Sequence, residues 1–227
     1  MKPVYLMAGG NWRDRNAPDP GFVAGLQGVG HSSPSVAYIG AANGDDGSFF
    51  KWFQTLASQA GAGQIALAPL VGKHANRDLA MDVLAKADAV FVSGGDVEAG
   101  MRTLESSQMC DHLRELHRQG KQFLGMSAGS IMLGATWVRW PDENNETRVE
   151  TFPCLGIAPL ICDTHGEKDA WEELHALLRI SDVGTIGYGI PTGCTLVAES
   201  NGSVRSLAGP VHRFQRTPRS VRRMRDV

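Results

Sequence analysis

The sequence predicts an α/β domain built on a mostly parallel sheet covered on both faces, with a short β-rich C-terminal part. Three observations carry this. Residues 4–7, 35–39, 64–70, 89–92 and 122–124 are short, largely apolar runs, the pattern of strands buried on both faces. Most of the segments between them carry apolar residues at helical spacing. After Gly184 the pattern changes to short strands at 185–190, 195–199 and 203–208, with Asn201-Gly202 as a hairpin turn.

The elements follow in order. The first strand ends at Ala8-Gly9-Gly10-Asn11, a glycine turn without the G-x-G-x-x-G spacing of a dinucleotide site. Residues 12–34 read as irregular, with a short helix near 22–26. Ser48 is placed to cap a helix running to about residue 59, with Phe49, Phe50, Phe53 and Leu56 on its apolar side. Asn76 caps the next helix, whose stripe is Leu79, Val83, Leu84 and Ala87. The strand at 89–92 ends in Ser93-Gly94-Gly95-Asp96. A helix over 109–119 turns Met109, Leu113 and Leu116 inward and closes at Gly120. Residues 137–153 read as a polar loop, 155–162 as a strand, and 169–178 as an amphipathic helix with Trp171, Leu174, Leu177 and Leu178 as its stripe. No repeat or linker divides the chain, so residues 1–227 are read as one domain, with 213–227 a basic tail.

A chain of 227 residues is long enough for a sizeable core, and a net charge of −2 gives no general attraction to nucleic acid or membrane. Cys110, Cys154, Cys162 and Cys194 lack C-x-x-C spacing, so neither a zinc site nor a disulfide framework is indicated. The N-terminus is too short in apolar length for a signal peptide, and no stretch approaches a membrane span. A cytoplasmic protein is expected. Its arginine-rich end is read as solvated or partner-contacting rather than as a nucleic-acid site, and oligomeric state is not readable from the sequence.

The chemistry gathers at Gly125-Met126-Ser127-Ala128-Gly129. It lies between a buried strand and the start of a helix, the context of a G-x-S-x-G nucleophile elbow. A tight strand–helix connection would use the same small residues, but the elbow reading also supplies a mechanism. Ser127 is presented above the sheet, with the N–H of Ala128 aimed at an oxyanion. A serine hydroxyl needs a base. His165 directly follows a predicted strand in a loop of small neighbours, at the same carboxyl edge as Ser127, whereas the other six histidines have ordinary helix or loop settings. A base of this kind is oriented by a carboxylate, for which Asp142, Glu143, Asp163 and Glu167 are candidates. A second oxyanion donor is the N–H of Gly94 or Gly95, where no side chain obstructs a substrate.

These residues also carry a resemblance. Phe91-Val92-Ser93-Gly94-Gly95-Asp96, then Gly125-Met126-Ser127-Ala128-Gly129-Ser130, then Asp163-Thr164-His165, in that order, resemble the dipeptidase E/cyanophycinase family of serine peptidases. The later turn from Gly187 to Gly193 resembles the family's as well. The resemblance implies a class I glutamine-amidotransferase-like fold, a three-layer α/β/α sandwich. It implies cleavage of small peptides with aspartyl residues, through an acyl-enzyme, with no metal and no cofactor. By position, Ser127 matches the nucleophile, His165 the base, and Gly95 and Ala128 the oxyanion donors. Asp142, 15 residues after the serine, matches the triad acid of the aspartyl dipeptidase branch. The late turn reads Ile190-Pro191-Thr192, without the carboxylate of the cyanophycinase branch. Gly94, Asp96 and Lys168 are further candidate substrate-binding residues. After His165 only Lys168 is basic among four acids, where the family carries arginines.

Two other readings use the same residues. An α/β-hydrolase-type esterase shares G-x-S-x-G, but the chain is short, lacks an HGGG-type loop, and has His165 well before its end. A non-catalytic binding or regulatory protein on the same fold is consistent with Thr192 and the missing arginines.

Overall fold

The chain enters the sheet at once, because Val4 to Met7 are apolar on both faces. The structure, a computed structural model, describes residues 1–10, 18–141 and 148–227. β1 (Val4–Met7) leads to α1 (Pro20–Gln27), where Asp19 accepts hydrogen bonds from the N–H groups of Gly21 and Phe22 and Pro20 presets the first turn. β2 (Val36–Ile39), α2 (Gly47–Gln59), β3 (Ile65–Leu67), α3 (Arg77–Lys86), β4 (Ala89–Val92), α4 (Val97–Ser106), α5 (Cys110–Arg118), β5 (Gln122–Met126) and α6 (Ala128–Leu133) follow. The second half contains β6 (Thr136–Arg139), β7 (Glu150–Pro153), β8 (Ile161–Thr164), α7 (Glu172–Ile180), β9 (Ile186–Ile190), β10 (Thr195–Ala198), β11 (Val204–Leu207), β12 (His212–Arg216) and β13 (Val221–Arg223).

The central sheet has seven strands in the order β11-β10-β1-β5-β4-β2-β3. Its five strands from β1 to β3 are parallel, while β10 and β11 add an antiparallel edge. Successive side chains enter opposite faces. Val4, Leu6, Val90 and Val92 join one core with α4, α5 and α6, whereas Tyr5, Met7, Ala89 and Phe91 join another with α1 and α2. The second core is centred on rings: Phe53 stacks on Phe91 at 4.1 Å between centroids, and Phe22 meets both edge-on. Two helical layers around a mostly parallel sheet match the expected architecture.

A second sheet, β13-β12-β9-β8, pairs β8 and β9 in parallel. The segment read as a basic tail is part of it. β12 pairs with β9 and β13, Val211 and Phe214 are buried, and Phe214 packs edge-on against His175 at 4.9 Å. Spaced apolar residues among the arginines thus supply an inward set that the charge count hides.

Other elements depart from expectation. The cap of α2 is Asp46, with Ser48 bonded to its carboxylate. Leu79, expected on a buried stripe, is 49% exposed. Helix α4 was not anticipated. The stretch 137–153 contains the antiparallel pair β6–β7, in which Trp137 faces Phe152. Of the predicted strand at 155–162, Ile161 and Cys162 do lie in β8, while residues 155–160 form a partly buried loop before it. Its Leu155 and Ala158 N–H groups are taken by Met132 and Leu133 carbonyls at the end of α6, so burial there does not require a ladder.

Candidate active site

Strand β5 delivers Ser127 at φ 53°, ψ −123°. A non-glycine residue in this region costs about 1–3 kcal/mol, which the surroundings must over-determine. They do so from β1: the Ser127 N–H donates to the Met7 carbonyl at 2.8 Å, and the Ser130 hydroxyl donates to the same oxygen at 2.9 Å. The motif's glycines are steric necessities. A Cβ on Gly129 would lie 2.0 Å from the Val92 carbonyl oxygen, and one on Gly125 would lie 2.7 Å from that of Gly129. The elbow is pressed against the end of β4 so closely that no side chain fits.

The loop after β4 faces it. Gly95 has φ 144°, and a Cβ there would meet the Ala42 carbonyl oxygen at 2.0 Å. Gly94 approaches the Ser127 side chain so closely that its own Cβ would sit 3.1 Å from the serine Cβ. Asp96 caps α4, accepting from the Ala99 N–H at 2.8 Å. Among the described residues no acceptor takes the N–H of Gly95 or Ala128.

His165 arrives from the second sheet, not from the central one, at the end of β8. Its N–H bonds the Ile190 carbonyl at the parallel end of β9, and its φ is 65°. Its Nδ1 lies 3.0 Å from Thr192 Oγ1. The Thr192 N–H in turn donates to Glu167 Oε1 at 2.5 Å. Burial opposes charge on Glu167, but the Thr192 N–H and hydroxyl and the nearby His165 outweigh it and hold the carboxyl below its ordinary range.

Of the four candidate carboxylates, Asp142 and Glu143 lie outside the described residues. Asp163 is buried, with one oxygen accepting the Thr164 N–H at 2.6 Å. Burial, reinforced by Glu173 and Asp169, pushes its carboxyl up to about 7 against that bond. Glu167 reaches the Thr192 N–H, and it is Thr192 Oγ1 that meets the His165 ring.

Two cavities open from this point. One, of about 460 Å³, is lined by Phe49, Trp52, Leu56 and Met126, with Asp19 as its charged member. The other, of about 430 Å³, carries Asp96, Glu98, Asp163 and Glu173 against Arg139, with Trp137 and Trp140 beside them. Gly95, Ser127 and His165 line both. Gly94 lines the first, and Ala128 and Asp96 the second, while the exposed Lys168 lines neither. Arg139 faces Glu98 at 3.3 Å and Glu150 at 3.5 Å. Trp171 is core, packed under Gly166 and Gly189. Sequence reasoning placed Phe49 and Leu56 on a helix's apolar side without seeing that this side also walls a cavity. Thr192 was noted only as a missing carboxylate.

The family model for peptidase family S51 matches residues 5–205. The chain belongs to peptidase family S51. This S51 chain is a serine-type peptidase, and its likeness to solved structures supports the fold. A peptidase from an acI-B1 Actinobacterium superposes with a TM-score of 0.70 at 16% identity, covering 100% of this chain and 96% of its own. A protein from Listeria monocytogenes EGD-e assigned as a Peptidase E gives 0.65 at 13% identity, covering 92% of this chain and 99% of its own. No curated protein matches the sequence.

Proposed function

We propose that this S51 peptidase cleaves short peptides at the junction of the two cavities, with Ser127 as nucleophile and His165 as general base. One observation carries the reading: Gly95, Ser127 and His165 are the residues that line both cavities. A peptide lying across them would place its scissile carbonyl at Ser127, with one residue on each side. His165 takes the Ser127 proton as the hydroxyl oxygen attacks the carbonyl carbon. The N–H groups of Gly95 and Ala128 receive the developing oxyanion. His165 then gives its proton to the departing amine, and water, deprotonated by the same nitrogen, releases the acyl group from Ser127. Asp142 is the third member that the family pattern supplies.

Asp-X dipeptides are the substrates that the resemblance implies, and they belong first in a test. The lining favours a different partner. Among the described residues Arg139 is the only lysine or arginine lining either cavity, and two glutamates already face it. The apolar cavity suits a nonpolar side chain, and the acidic one suits a free amine or a basic residue. Hydrolysis of Asp-Leu, isoaspartyl-Leu, Leu-Leu and Leu-Lys by wild type and Ser127→Ala tests both levels. Cleavage that falls by about 10⁴-fold or more in the variant is expected. Undiminished activity in Ser127→Ala would sink the mechanism, and cleavage confined to Asp-Leu would sink the preference for apolar and basic residues.

A further inference from the structure

Resting on the proposed Ser127–His165 pair, we infer that Thr192, backed by Glu167, is the positioning residue that fixes the ring of His165 for catalysis. The turn that lacks a carboxylate in sequence puts a hydroxyl where one is needed: Thr192 Oγ1 lies 3.0 Å from His165 Nδ1.

The direction of the hydrogen bond follows from the proposed role. A hydroxyl both donates and accepts, so Thr192 Oγ1 can take a ring proton from Nδ1. Glu167 accepts the Thr192 N–H and so holds the backbone that carries this hydroxyl. With Nδ1 donating to Oγ1, the Nε2 lone pair is free for the Ser127 proton. This is the tautomer a general base requires. No proton moves along the relay. When Nε2 takes the serine proton the ring becomes a cation, Nδ1–H stays bonded to Thr192 Oγ1, and Glu167, held by the Thr192 N–H, keeps a negative charge near the ring.

The surroundings hold the relay in place. Thr192 is β-branched and stiff at χ1. Pro191 precedes it, and the N–H of Gly193 is tied to the Gly9 carbonyl at 2.8 Å. The N–H of His165 is anchored to Ile190, two residues before Thr192, so both ends of the Nδ1 contact are fixed to the β8–β9 pair. Other charged groups facing this region are Asp19, which lines the first cavity with His165, and Asp96, Glu98, Arg139, Asp163 and Glu173, which line the second.

The test compares Thr192→Val, Thr192→Ser, Glu167→Gln, Asp142→Asn and Ser127→Ala in the full chain, on the best substrate of the dipeptide panel. Thr192→Val keeps the shape and deletes the hydroxyl. It is expected to lower kcat about 30-fold with KM within twofold, less than the roughly 10²–10⁴-fold of general-base catalysis as a whole, because the base itself is kept. Thr192→Ser is expected to retain activity within threefold. Glu167→Gln is expected to lower kcat about tenfold and to move the acid limb of kcat/KM to lower pH, because removing the negative charge disfavours the imidazolium. Because Thr192 takes the Nδ1 position that the family pattern gives to Asp142, Asp142→Asn is expected to cost less than Thr192→Val, and a larger loss in Asp142→Asn overturns the proposal. A Thr192→Val enzyme with wild-type kcat, or one whose loss lies wholly in KM, overturns the proposal. So does a Glu167→Gln enzyme with an unmoved acid limb, which decides the matter if Thr192→Val does not fold. Full activity in Ser127→Ala would instead overturn the underlying site, and that outcome is read separately.

Discussion

Ser127 occupies a backbone conformation that a serine adopts only at a cost, and a glycine would not bear that cost. The stability and activity of this position are therefore expected to part company. Ser127→Gly and Ser127→Ala should both lose turnover, but Ser127→Gly should be more stable by about 1 kcal/mol in urea denaturation, since alanine keeps the positive φ. Equal stabilities would mean that the strain is not stored there. Asp163 offers a second test at this scale. Its carboxyl is raised to about 7 in the fold, from 3.8, by burial. The folded state then binds the proton more tightly than the unfolded chain, so this group's contribution to stability falls as pH rises from about 4 to about 7. Asp163→Asn removes that penalty. Its melting temperature should exceed wild type at pH 8 and approach it near pH 4, and a constant difference across that range would contradict the assignment. That Ser127 and His165 meet at one cleft was legible because each follows a strand directly. The Thr192 contact was not, because it joins positions 27 residues apart through the pairing of β8 with β9.

The elements that carry the site are held by contacts without slack. Gly129→Ala drives a methyl group into the Val92 carbonyl, so either β4 or the elbow must move. A loss of about 3 kcal/mol in stability is expected, at the upper end for an overpacked position, together with loss of activity. At the start of α4, Asp96→Ala removes the cap on the Ala99 N–H and should cost about 1 kcal/mol. Because Asp96 also lines the second cavity, a selective loss with basic substrates is expected alongside it. The parallel strands were readable because burial on both faces leaves an unbroken apolar run. β6 and β7 were hidden by Arg139 and Glu150, which pair across the strands and look loop-like one at a time. The reverse holds at 155–160, where an apolar run is a loop because α6 carbonyls take the Leu155 and Ala158 N–H groups. Helix α4 has a regular N-cap in Asp96 but a weak apolar stripe, with Met101 and Leu104 its only large buried side chains.

At the scale of the molecule, the central sheet supplies Ser127 and the Gly94-Gly95 loop, and the second sheet supplies His165. The cavities exist only where these meet, walled by α2 on one side and by β6 on the other. That is why the family and the residues of the candidate site were legible in the sequence while the lining of its cavities was not: the lining comes from segments that no motif joins. If the apolar cavity selects the substrate, then Leu56→Lys, which places a cation in its wall, should raise the rate for Asp-Leu relative to Leu-Leu by about tenfold. An unchanged ratio would detach that cavity from specificity. The most direct test of the central claim is covalent: treat the protein with an aryl phosphonate, digest it, and locate the adduct by mass spectrometry. The account predicts one adduct on Ser127, absent in Ser127→Ala and strongly slowed in His165→Ala. An unlabelled Ser127, or an adduct on another serine, would contradict it.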